Sequence, residues 1–314
     1  MVQPSITQIA AALALIVLTS GQQAHARVLE VGPGKPYKLP SEAINDAKDG
    51  DRVLIAGGEY FDCASVKAND LVIEGGAPDG GAVITDKACG GKGLLITVGN
   101  NITVRNITLT RSRVPDGNGA GIRAEGAKLT VEKVKFINNQ NGILGGFKGA
   151  TITIKDSEFV KNGTCANSGG CAHGIYIGDV DLLHIENSKF SETKEGHHIK
   201  SRAERTEVIG CQISDGDTGT ASYLIQIPNG GSVVVRDTTL EKGPKAENHS
   251  AAIIIGDEGV THPTREIVVE NTTFRNSGSY NTVFVKNLTA TEAVLKNNKV
   301  SGSAKVLDGD GSVK

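Results

Sequence analysis

Tyr176, His198, Lys200 and Gln226 lie on three short apolar segments, GIYIGD at 174–179, GHHIKS at 196–201 and LIQIPN at 224–229. They alternate with Ile175, Ile177, Ile199 and their equivalents. If the isoleucines face inward, a period of two turns these polar side chains outward. Arg202 and Arg205 follow the second segment, Asp179 and Asp181 follow the first, and Asn229 closes the third. Neighbouring strands lie about 4.8 Å apart, so such groups converge on one area. Lysine or histidine can serve as a base, a guanidinium can neutralise a carboxylate as charge develops, and a phenol can protonate a departing oxygen. The set fits proton abstraction α to a carboxylate, followed by elimination. Lys200 or His198 is the expected base, Arg202 or Arg123 the neutralising group and Tyr176 the proton donor. Arg123, Gln226, Asp179 and Asn229 are the expected binding residues. An ordinary solvated face accounts equally well for His198 and Lys200, whereas His197 reads as an inward, hydrogen-bonded core histidine.

The elements that must position these groups are written in an internal repeat. Eight copies of an alternating pattern end at Leu109, Phe136, Phe159, Phe190, Ile213, Leu240, Phe274 and Val300, 23 to 34 residues apart. Five positions before each anchor stands an aliphatic residue: Val104, Val131, Ile154, Ile185, Val208, Val235, Val269 or Leu295. Between the apolar pairs sit Asn106, Lys133, Asp156, Asn187, Gly210, Asp237, Asn271 and Asn297. Asn, Asp and Gly adopt left-handed backbone angles cheaply, so this column predicts a tight bend and an asparagine ladder. Copies of this length cannot each bury their own apolar face, so they must stack as a solenoid. The outward positions of the following strand read Arg123, Leu144, Tyr176, His198, Gln226, Ile254 and Phe284. Length variation concentrates before that strand, and the step from its last inward residue to the next copy is twelve positions from Ile255 to Ile267, against five to eight elsewhere.

Three short strands per coil, an Asn-type bend and one variable corner resemble the right-handed parallel β-helix of the pectate-lyase-like superfamily. The fold class expected is all-β, a single right-handed parallel β-helix over residues 27–314, with an N-terminal capping helix around Ser41, Ala43, Ile44 and Ala47. A cap is needed because an open end of stacked strands templates aggregation. The resemblance implies a groove along the strand after the variable corner, an acidic polysaccharide as partner and lyase or epimerase chemistry on uronates. Lys200-Ser201 is similar to the Lys-Ser of the alginate-lyase and chondroitinase-B family, in which the lysine is the base. A non-catalytic carbohydrate-binding or exopolysaccharide-assembly protein is the alternative, and a glycoside hydrolase a further one. A hydrolase needs a pair of carboxylates about 6.5–9.5 Å apart, and none stands out.

Composition bears on compartment and partners. The net charge of −2 argues against nucleic acid as partner, and 40 Gly with no Trp suits a narrow solenoid core. Residues 9–18 form an apolar run followed by Ala24-His25-Ala26, which reads as a signal peptide over 1–26 and a secreted or periplasmic product, with no membrane span in the mature chain. Cys63 with Cys89 and Cys165 with Cys171 are expected to bridge, leaving Cys211 in an inward column as a buried thiol. No CxxC occurs, and no metal or other cofactor is expected. Calcium at Asp215-Gly-Asp217 or Asp308-Gly-Asp310 is the alternative to a simple turn. His249 and His262 read as surface residues on loops.

Overall fold

Alternating β-branched and aliphatic residues build strands, and each copy of the repeat supplies three in the same order. The computed structural model describes residues 26–76, 81–166 and 170–314. The signal-peptide expectation falls almost wholly on residues 1–25, outside the described ones. Among the described residues, strands assemble into three parallel sheets of 12, 10 and 10 strands. Each complete coil gives one strand to every sheet, so the chain is a parallel β-helix.

The column five before each anchor forms one continuous inward stack. Val104, Val131, Ile154, Ile185, Val208, Val235, Val269 and Leu295 are paired coil to coil and all fully buried. The second sheet contributes the anchors, where Phe136, Phe159 and Phe190 stack with centroids 4.5 and 4.4 Å apart. The bend column adopts positive φ throughout, from 49° at Asp156 to 65° at Gly210. Its ladder, however, is made by main-chain amides: Asn106, Lys133, Asp156 and Asn187 each donate to a carbonyl of the next coil. The buried asparagine ladder stands at the next corner. There Asn139 Oδ1 accepts from Ser112 N, and Asn162 Oδ1 accepts from Asn139 N, both at 2.9 Å.

The helix Pro40–Asp46 closes the first coil, burying Pro40, Ala43 and Ile44. Its free amides are met by carboxylates: Asp62 accepts from Ser41 N at 2.7 Å, and Glu42 folds back onto Leu39 N at 3.2 Å. Cys63 and Cys89 are bonded across neighbouring coils with Cα atoms 5.5 Å apart, and Cys165–Cys171 closes a small loop with Cα atoms 4.2 Å apart. Cys211 is free and buried, and burial pushes its thiol up to about 11, which leaves it unreactive. No helix among the described residues is long and apolar enough to cross a membrane.

Candidate functional site

The third sheet carries the outward row, and its register differs from the expected one in two coils. Observed partners run Arg123, Leu144, Tyr176, Lys200, Gln226, Ile254, Lys286, Asp308. Lys200 thus occupies the place expected for His198, and Lys286 that expected for Phe284. The cause is that polar residues fill the last inward position in these coils. Ser201 is fully buried and shares a hydrogen bond with Thr206 Oγ1 at 2.7 Å. Asn287 is 2% exposed, and its Nδ2 donates to the Thr291 and Asp310 carbonyls. A polar group whose hydrogen bonds are met inside can hold a core position, so the last apolar residue did not mark the interior.

His198 is therefore not a groove residue. It is fully buried, with Nδ1 2.8 Å from Thr193 Oγ1 and Nε2 2.9 Å from Asp215 Oδ1. Asp215 is fully buried too, and its other oxygen accepts from Gly243 N, so it is not a solvent-facing calcium ligand. Beside them Lys242 is also fully buried, donates to the Ser222 carbonyl at 2.6 Å, and is brought down to about 8 by burial. Phe284 stacks on Phe274 in the core, with centroids 5.1 Å apart. The column of Gly121, Gly142, Gly174 and His198 explains the room. A Cβ at Gly121 or Gly142 would meet the Phe136 or Phe159 ring at 2.7 Å. His198 sits two coils beyond Gly142, past that crowding.

His197 is nine-tenths buried but flanks the row instead of filling the core. Its ring stacks on His173 at 4.7 Å and leans on Tyr223 at 5.2 Å, and His173 meets Tyr176 edge-on at 5.2 Å. Tyr223 N donates to His197 Nδ1, and His197 N donates to His173 Nδ1. Burial first, then the Lys200 charge, pushes His197 down to about 3, and burial likewise holds His173 well below the usual imidazole range.

The site proper gathers around Tyr176. Lys200 Nζ and Arg202 Cζ lie 5.3 and 5.6 Å from its ring centroid, and Arg202 Nε donates to the phenolic oxygen at 3.0 Å. Both cations converge on Glu258: Lys200 Nζ is 2.8 Å from Oε1, and Arg202 pairs with Oε2. Burial alone would raise Glu258, but hydrogen bonds from Lys200 and Arg202 outweigh it and hold the carboxyl at about 2. Gln226 Nε2 donates to Asp257 at 2.7 Å and reaches Glu258 at 3.4 Å. Asn229 accepts from Arg202 and donates to the Gly259 carbonyl.

Tyr176, Lys200, Arg202, Gln226 and Asn229 are thus brought together. Arg123 is not, standing two strands along the row from Tyr176 with its Nε 3.7 Å from Glu125. Arg205 pairs with Glu207 and Glu266 on the first sheet. Asp179 lies at the corner beyond the row, half exposed and 3.6 Å from His262 Nε2. Asp179, Glu204 and His262 each bring one ligand atom within 4.8 Å of the others, a group that could hold a metal ion. His262 is thereby more enclosed than a surface loop residue, with a side chain 14% exposed. His249 is exposed, as expected, and stacks on Tyr280 at 3.6 Å.

Glu258 and Asp257 were missed by the sequence reading. The available signal was the long step of twelve positions from Ile255 to Ile267, which carries both along with His262.

A family model described as right handed beta helix region matches residues 147–312, more than half of the chain. Among solved structures, an alginate lyase from Paenibacillus sp. str. FPU-7 is similar, at 16% identity and a TM-score of 0.64 over 91% of this chain and 99% of that one. The pectate lyase Pel9A is also similar, at 13% identity and a TM-score of 0.54 over 89% of this chain and 78% of that one. At such identities the likeness extends to the fold. No curated protein matches the sequence.

Proposed function

The chain belongs to the right-handed β-helix family, and from that premise we propose that it is an exported protein that engages an acidic polysaccharide and cleaves it by β-elimination at a uronate. One observation carries the reading: Lys200 and Arg202 jointly hold a carboxylate beside the Tyr176 ring. A site that binds one carboxylate between an ammonium and a guanidinium suits a uronate, and charge-assisted pairs of this kind are the strong ones. The solved relatives named above, a lyase of alginate and a lyase of pectate, add support by analogy of fold.

In this reading the roles follow from the geometry. Arg202 neutralises the uronate carboxylate, which stabilises charge as the α-proton leaves. Lys200, next in the row, takes that proton as the neutral amine, having first released to solvent the proton it carries as an ammonium. Tyr176 accepts a hydrogen bond from Arg202 Nε, so its own O–H is free for the departing oxygen. Gln226 and Asn229 line the same area and orient the sugar. The disulfides Cys63–Cys89 and Cys165–Cys171 fit an extracellular or periplasmic location.

A second reading, binding without chemistry, is favoured by the ion pairs that Glu258 makes with both cations. One experiment separates the two. Purified protein is incubated with a panel of uronate polymers, following the ultraviolet absorbance of unsaturated products and, in parallel, retention on the immobilised polymers. Product formation abolished by Lys200→Ala supports the lyase reading, and retention without product supports the binding one. Neither product nor retention on any uronate polymer overturns both.

A further inference from the structure

Glu258 lies 58 and 56 residues from its partners Lys200 and Arg202, yet pairs with both. It stands on a turn between Gly256 and Gly259, whose φ angles are 87° and 95°. The turn is fastened to the neighbouring coil through main-chain bonds from Gly256 N to the Ile227 carbonyl and from Glu258 N to the Pro228 carbonyl. The backbone is therefore fixed, while the Glu258 side chain is 38% exposed and free to turn outward. Lys200 beneath it is 11% exposed. Two acceptors at the foot of this turn, Gln226 Oε1 and Asp257 Oδ1, are buried without a hydrogen-bond partner among the described residues. Such groups call for donors, and a hydroxyl-rich ligand carries them.

We propose that Glu258 occupies the subsite of the ligand's own carboxylate, so that a uronate binds by exchanging with it and Glu258 sets how strongly the site takes acidic sugars. The inference rests on the uronate reading above. Two positive side chains cannot hold two carboxylates there beside Asp257 without like-charge repulsion. The ligand must displace Glu258, whose side chain swings to solvent while the turn stays in place. The ligand class is an anionic sugar with hydroxyls adjacent to its carboxylate, the hydroxyls meeting Gln226 and Asp257.

The test is calorimetric binding of a uronate oligosaccharide to the wild type and to Glu258→Gln, with an uncharged oligosaccharide as control. Glu258→Gln removes the competing charge and should tighten uronate binding by about tenfold, the loss of one charge-assisted pair. The uncharged sugar should show no such gain, and the melting temperature should be unchanged. As a second readout on the wild type, the 13C signal of the Glu258 carboxyl should shift on titration with the same oligosaccharide. Equal or weaker uronate binding by Glu258→Gln, or a still Glu258 signal under a bound uronate, overturns the exchange and leaves the uronate reading standing. Failure of both proteins to bind any uronate overturns the uronate reading itself, and the exchange with it.

Discussion

Two residues of one strand, separated by one position, divide into opposite jobs here. Lys200 is outward and pairs with Glu258, while His198, two positions earlier, is buried between Thr193 and Asp215. Substitution should separate them. Lys200→Ala should lose uronate affinity or elimination worth about 1–3 kcal/mol, with an unchanged urea midpoint. His198→Ala should do the reverse: it strands a buried carboxylate and should cost about 3–5 kcal/mol of stability, read from urea unfolding. Equal stability of the two variants would overturn this division. The histidines also set an acid limit. His197, at about 3, and His173, well below the usual range, stay neutral in the fold, whereas in the unfolded chain they titrate near the ordinary value of 6.5. The unfolded state then binds more protons, so stability is full above about 6.5 and falls as pH drops through the window toward 3. A urea midpoint that is the same at pH 7 and pH 5, a range above the usual carboxylate values, would contradict this.

Strands and corners carry their own consequences. The stack of Phe136, Phe159 and Phe190 fills the core where the opposite column is Gly121 and Gly142. Phe159→Ala should leave a cavity costing about 3–5 kcal/mol, because rigid strands on both sides limit collapse. A loss below 1 kcal/mol in thermal or urea unfolding would mean that the neighbouring rings close the gap. This stack was legible in the sequence, as were the inward valines and isoleucines and the bends, because each was written in several coils. The corners were less legible. The long step from Ile255 to Ile267 announced an insertion, but not that Glu258 would fold back over Lys200 and Arg202. A side-chain contact across 58 residues leaves no periodic trace.

At the scale of the molecule, stacked coils make stability nearly a sum of nearest-neighbour terms, so it need not be uniform along the axis. The first coils are closed by the helix Pro40–Asp46 and tied by Cys63–Cys89. The strands Lys299–Ser301, Ala304–Asp308 and Gly311–Val313 contain no buried residue. Amide hydrogen exchange followed by mass spectrometry should therefore be fastest over residues 299–313 and slowest around the Phe136–Phe190 coils. Uniform protection would refute the additive picture. By itself the sequence determined the solenoid, its inward columns, its bends and the cysteine left unpaired. The reason is redundancy: one apolar period, restated eight times, admits one way to bury every copy. Only the tertiary structure decided which polar residues go inside and which groups meet in the groove. Ser201 and Asn287 enter the core because partners within the fold satisfy their hydrogen bonds, and that shifts Lys200 beside Tyr176. Hydrophobic period records what avoids water, whereas hydrogen bonds between distant segments depend on where the folded chain brings them.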